Sequence, residues 1–174
     1  MSKWVAVTVV AGLVLGASDS GAQEGAPGGA EGLRSKALQT LRKAAEFYRT
    51  KGASHGGYVY YYSEDLQTRW GEGKADLTTI FVEPPGTPAV GMAYLAAYEA
   101  THDAFYLDAA QETAMALVKG QLESGGWTQS IHFAPPKKGK VGRYRKGNGG
   151  TLNNSALDDG QTSSALQMLC RMDK

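Results

Sequence analysis

The chain has 174 residues, enough for one domain with a modest core. Eighteen basic side chains against seventeen acidic ones leave a net charge of +1, so no global field draws in a polyanion and nucleic acid is not an expected partner. A single cysteine, Cys170, excludes an internal disulfide.

The N-terminus reads as an export signal over residues 1–22. Lys3 supplies a positive start, Trp4 to Leu15 is an apolar run, and Ser20-Gly21-Ala22 is a small-residue cleavage site. The run is shorter than the roughly 20 apolar residues of a membrane span. A secreted or periplasmic protein is therefore expected, with no membrane contact once the signal is removed, and the missing disulfide suits that location. Residues 23–32 read as a flexible Gly/Ala-rich leader.

Residues 33–174 read as helices separated by polar loops. Leu33 to Thr50 carries apolar residues at 33, 37, 38, 41, 44, 45 and 48, the period of an amphipathic helix that Gly52 stops. Tyr58 to Tyr62 reads as a short strand or an extended loop, with a β-hairpin allowed in the 58–82 segment. Pro84-Pro85-Gly86 breaks the chain before a second helix, which Thr87 caps and Pro88 starts. Asp103 caps a third helix, faced by Leu107, Ala110, Ala114, Leu117 and Val118. A basic, glycine-rich loop follows, and a last helix starts near Gly160, where Cys170 reads as a small buried hydrophobe.

A weak repeat runs through this pattern. Lys51 to Tyr58 and Gln121 to Trp127 both place a helix end before Gly-Gly-aromatic and a long loop. Repeated helix pairs with loops at one end predict an all-α fold, a partial α/α toroid. Few helices are visible for a closed toroid, so the domain is expected to be incomplete.

Several residues in the loops suit chemistry. Asp158 and Asp159, with Asn153 and Asn154 nearby, offer the hard oxygens that calcium takes, and a carboxylate pair also suits acid–base work. The same aspartates are equally good helix N-caps before Gly160. Trp70 and Trp127 can stack on sugar rings or cover a core, and Trp70, between Arg69 and Gly71-Glu72, is the one expected to be partly exposed. Arg143 and Arg145, in a basic loop with Lys137 and Lys138, suit carboxylate recognition. His55 and His132 each flank a Gly-Gly-aromatic turn and are expected at one mouth, but the histidines lack zinc-site spacing. No nucleophile elbow, P-loop or dinucleotide fingerprint is present.

Gly125-Gly126-Trp127-Thr128-Gln129-Ser130, followed by Leu157-Asp158-Asp159-Gly160-Gln161-Thr162, resembles the pectate lyases of polysaccharide lyase family 10. The segment from Pro84 to Ala110 resembles exported proteins carrying the same label. The resemblance implies an α/α-toroid enzyme cleaving polygalacturonate by calcium-assisted β-elimination. It also implies Trp127, Gln129, Trp70, Arg143 and Arg145 as substrate contacts, Asp158 and Asp159 as calcium ligands, and an acidic polysaccharide as partner. Thr128 stands where the family has proline and Asp159 where it has asparagine. The family's catalytic arginine has no counterpart here, so the catalytic residues stay unassigned. Two alternatives stand beside the lyase: a non-catalytic acidic-polysaccharide-binding module or inactive fragment, and another toroid enzyme of the terpene-cyclase kind, against which the absent DDxxD pattern argues.

Overall fold

The computed structural model describes residues 4–5, 29–134, 140–147 and 150–173. Most of the expected signal and leader therefore lies outside the described residues. Trp4–Val5 forms β1, whose backbone pairs antiparallel with Tyr62 and Ser63. Helix α1 runs Gly29–Phe47, starting inside the stretch read as leader, and widens into a π-helical turn over Tyr48–Gly52. The strands are β2 (Tyr61–Ser63), β3 (Arg69–Trp70), β4 (Lys74–Ala75), β5 (Thr79–Phe81) and β6 (Ser130–His132), and the remaining helices are α2 (Thr87–Thr101), α3 (Ala104–Lys119) and α4 (Gln161–Met172). No described helix is long and apolar enough to cross a membrane.

The all-α expectation is overturned. The chain is mixed α/β, with four helices and two small antiparallel sheets. One sheet has the order β1-β2-β3-β4, and the other pairs β5 with β6 from the far side of α2 and α3. The reason is local. Thr79-Ile80-Phe81 and Ser130-Ile131-His132 alternate polar or aromatic residues with isoleucine, so Ile80 and Ile131 pair on one face and enter the core at 0 % and 1 % exposure. Strands this short carry too few residues for a period-2 pattern to stand out.

The helices pack as a hairpin with a third member. His102, in the left-handed conformation at φ 56°, and Asp103 make the whole link between α2 and α3. Asp103 does cap α3, its Oδ1 accepting the Phe105 N–H at 3.0 Å. Helix α4 lies against both. Gly91 permits the close approach of α2 to α4, since a Cβ there would collide with the Met168 thioether. One core gathers Ile80, Val82, Leu117, Leu122, Trp127, Ile131 and Met168 between the β5–β6 pair, α3 and α4. A second gathers Tyr58, Val90, Tyr94, Tyr106 and Ala110 where the helical hairpin meets the end of α1. Helix α1 buries only Ala45 and leaves Leu33, Leu38 and Phe47 exposed.

The sequence repeat is structural. Gly56 and Gly125 both take positive φ, 85° and 98°. The aromatic residue after each Gly-Gly turn, Tyr58 or Trp127, is 1 % exposed. The Tyr58 N–H donates to Thr87 Oγ1 at 3.0 Å, and that hydroxyl donates back to the Tyr58 carbonyl at 3.3 Å. The Trp127 N–H donates to Thr162 Oγ1 at 3.1 Å, and that hydroxyl donates back to the Trp127 carbonyl at 3.2 Å. Thr87 and Thr162 sit in the first turns of α2 and α4, so each half ties its turn to the mouth of the next helix. Thr87 is thus the first helical residue; Gly86 precedes it as the cap position, without a side-chain cap.

Candidate functional site

The two helix mouths meet. Pro84 packs against Gly160, whose hypothetical Cβ would stand 3.6 Å from the proline ring. Asp159 and Gly160 both take left-handed backbone, φ 47° and 72°, a conformation aspartate tolerates better than most residues. That double turn swings the chain into α4 so that neither aspartate caps the helix: Gly160 occupies the cap position and no side chain bonds there. Asp158 and Asp159 are both exposed.

Around this junction the fold collects carboxylates. Glu83 ends the segment after β5 and is 9 % exposed. Gln161, 6 % exposed, donates from Nε2 to Glu83 Oε2 at 3.3 Å. Glu72, on the turn between β3 and β4, accepts Gln129 Nε2 at 2.6 Å. The Gln129 carbonyl accepts the Val82 N–H at 2.8 Å, which holds Gln129 beside Glu83 in the chain. Gly71 lies flat against the Phe81 ring, where any Cβ would collide, and so lets Trp70 and Glu72 run past that ring. Tyr60 packs on the other part of Phe81 at 5.0 Å between centroids, and its N–H donates to the Trp70 carbonyl at 2.9 Å.

The electrostatics are those of a like-charge site. Burial, then the charges of Glu72 and Asp159, push the Glu83 carboxyl above its ordinary range. Burial and the charges of Glu83 and Glu72 raise the Tyr60 hydroxyl. The Tyr60 hydroxyl faces Glu83, and Gln161 Oε1 is buried without a partner. Only the amide nitrogen of Gln161 can donate to Glu83, so Oε1 is left as an acceptor beside the carboxylate. Buried polar groups are normally paired, so an orphaned acceptor at an acidic corner marks a place for a ligand.

The residues expected to form the site divide into three groups. Gln129, Trp70 and Asp159 meet at the corner: Gln129 through Glu72, Asp159 through its charge on Glu83, and half-buried Trp70 through its place between Tyr60 and Glu72. Trp127 does not present a sugar platform. Its ring is enclosed at 1 % exposure and its indole N–H donates to the Leu117 carbonyl at 2.8 Å. The Trp127 bend and the aspartate loop are neighbours, but hydrogen bonds zip them together: Gly126 N–H to Ser155 Oγ at 2.9 Å and Ala156 N–H to the Trp127 carbonyl at 2.7 Å leave no groove between them. Arg143 and Arg145 are engaged elsewhere. Arg143 reaches the Gly150 carbonyl and Glu123, and Arg145 holds Gln121 Oε1 at 3.0 Å. Lys137 and Lys138 lie outside the described residues.

Among the described residues, no three His, Cys, Asp or Glu side chains are grouped closely enough to hold a metal ion alone. Asp158 is not drawn into the cluster by any contact, so the expected Asp158/Asp159 pair reduces to Asp159. Cys170 is exposed, not buried as expected, because α4 turns it away from Ala165 and Met168. His55 stacks on Phe133, the residue after His132, at 4.4 Å between ring centroids, while His132 bonds to Thr79 and Ser130 instead.

The sequence reading missed Tyr60, Glu72, Glu83 and Gln161. Glu83 was within reach, because the repeat places a carboxylate just before a Gly and a helix-mouth Thr twice: Glu83 before Gly86-Thr87, and Asp159 before Gly160 and Thr162. Glu72 carries no such signal. Comparison with family models, with curated proteins and with solved structures finds no match to this chain.

Proposed function

We propose that this protein is a secreted, pectate-lyase-like protein that engages polygalacturonate at the acidic corner through a divalent cation, calcium in the first instance. The observation that carries the reading is the buried Glu83–Gln161 pair, which leaves Gln161 Oε1 unpartnered within the field of Glu72 and Asp159. Three carboxylates repel a uronate. An ion shared between them and the sugar carboxylate reverses the sign of that interaction.

The donor set is oxygen only, which fits a hard cation, and it is too sparse to enclose one without oxygens from the ligand. Glu83 and Gln161 Oε1, with the ligand's own carboxylate, are the groups that would hold it, Glu72 and Asp159 adding negative charge nearby. When bound, the cation neutralises the uronate carboxylate and makes the neighbouring C5 proton more acidic. The chain's own groups do the rest. Gln129 orients the Glu72 carboxylate, the exposed part of Trp70 offers an apolar face to a sugar ring, and Tyr60 supplies a hydroxyl to a sugar oxygen. Burial and the charges of Glu72 and Asp159 make Glu83 a stronger proton acceptor when ionised.

A second reading, a binding module without cleavage, is favoured by the arginines. Arg143 and Arg145, the arginines expected to contact the substrate, are committed to Gln121, Glu123 and Gly150. Calorimetry with trigalacturonate, with and without calcium, tests the shared claim. Ultraviolet absorbance of unsaturated products from polygalacturonate separates the two. Binding with turnover supports the lyase, binding without turnover supports the module, and no calcium-dependent binding contradicts both.

A further inference from the structure

Beside the acidic corner, on the face of the β5–β6 pair opposite Ile80 and Ile131, lies a chain of polar groups that the proposed function does not use. Thr79 stands opposite His132 and Phe81 opposite Ser130, so Thr79, Phe81, Ser130 and His132 share one face. Ser130 Oγ is 3.2 Å from His132 Nε2. His132 Nδ1 is 3.0 Å from Thr79 Oγ1, and Thr79 Oγ1 is 2.8 Å from Asp76 Oδ1. The Thr78 N–H and hydroxyl also donate to Asp76 Oδ1, each at 2.8 Å.

Proton counting orders this chain in one direction. Asp76 receives three hydrogen bonds, and these hold its carboxyl below the usual range against the opposing effect of burial. Ionised, it only accepts, so Thr79 spends its single proton on it. The Thr79 oxygen then accepts, and His132 Nδ1 carries the imidazole proton. His132 Nε2 is left with its lone pair, and Ser130 must donate to it. Burial lowers the affinity of His132 for a second proton while the Asp76 charge opposes, so the imidazole is neutral at pH 7. Ser130 and His132 are each only half-buried, so the serine oxygen is open to a ligand.

We propose that Ser130 is an acyl-accepting nucleophile with His132 as its base, and that the protein cleaves small carboxylic esters at this site. His132 takes the Ser130 proton as Oγ bonds to the ester carbon. The carbon–alkoxide bond then breaks and the alkoxide leaves with that proton as an alcohol. Water, deprotonated by the same imidazole, attacks the acyl-serine, releases the acid and restores Ser130. Thr79 and Asp76 are positioning residues: they fix the tautomer and, through the Asp76 charge, support the imidazolium that forms in each half-reaction. Asp76 is the charged group that acts on His132. The Tyr144 hydroxyl accepts the His132 backbone N–H at 2.8 Å and steadies the strand.

The test uses the folded full chain and a fluorophosphonate probe, followed by intact mass and peptide mapping. One adduct on Ser130 is expected, formed at a rate that rises with pH and levels off by neutrality. His132→Gln slows labelling at least 100-fold. Thr79→Val, which separates Asp76 from the imidazole, moves the midpoint of the pH profile down, and Thr79→Ser restores it. A hydroxyl with a purely structural role moves no such midpoint. Absence of an adduct on Ser130 in the folded wild-type chain, or labelling indifferent to His132→Gln, overturns the proposal.

Discussion

Trp127 lies in the core and Trp70 is the half-buried tryptophan proposed to meet the sugar, and the paired substitutions to alanine measure the difference. Trp127 is 1 % exposed among Ile80, Leu117, Leu122, Ile131 and Met168. Removing a buried ring of this size costs about 3–5 kcal/mol. The lost indole hydrogen bond adds about 1 kcal/mol at most, because the Leu117 carbonyl keeps the Gly120 N–H at 3.0 Å. At about 2–4 °C per kcal/mol for a domain of this size, Trp127→Ala lowers the melting temperature by roughly 10 °C. Trp70 is half-buried at a strand end, so Trp70→Ala shifts the midpoint by only about 2 °C. It weakens trigalacturonate binding in calcium instead, by about threefold to tenfold for one stacking contact. The assays are a thermal melt and calorimetry on each variant. A Trp127→Ala protein as stable as wild type but with weakened sugar binding refutes the placement of that ring.

Glu83→Gln tests the acidic corner by stability. The folded-state pKa of Glu83 is raised, so folding favours the protonated acid. That contribution is complete below about pH 4.3 and is lost as pH rises through the folded value. Glu83→Gln therefore melts higher than wild type at pH 7 and at the same temperature below about pH 4; equal midpoints at both pH values contradict the like-charge account. Calcium with oligogalacturonate at about 100 times its dissociation constant adds about 2.7 kcal/mol to wild-type stability, read as a melting shift that Glu83→Gln lacks. Thr162→Val strips the Trp127 N–H of its acceptor while the carbonyl keeps Ala156, a cost of about 1–3 kcal/mol by denaturant titration. Thr87→Val removes the corresponding bond to Tyr58 and costs a similar amount if the repeat is real in energy as well as in pattern.

The helices were legible because their signals are local. Asp103 caps α3 as its residue type implies, and the Gly-Gly-aromatic repeat announced two equivalent turns. The sheets were not, since β5 and β6 pair across α2 and α3 and each offers only three residues. Tryptophan beside a glycine turn reads equally as platform or core, and burial decides only once Ile131 and Met168 close over it. The aspartates looked like caps because residue type favours it, but left-handed backbone at Asp159 and Gly160 turned them outward. The acidic corner draws Tyr60, Glu72, Glu83, Gln129, Asp159 and Gln161 from five separate segments. No spacing rule reaches that far, although the second copy of the repeat pointed to Glu83. Of the apolar stripe expected on α1, Leu33, Leu38 and Leu41 remain exposed, because periodicity reveals a face without naming its partner.

The most direct measurement is calorimetric titration of trigalacturonate into wild type and into Glu72→Gln/Asp159→Asn, each with calcium and with chelator. The acidic-corner reading predicts binding to wild type in calcium, none in chelator, and a loss of at least tenfold in the double variant with its melting temperature unchanged or raised. Equal affinity in chelator, or an unaffected double variant, places the ligand somewhere other than this corner.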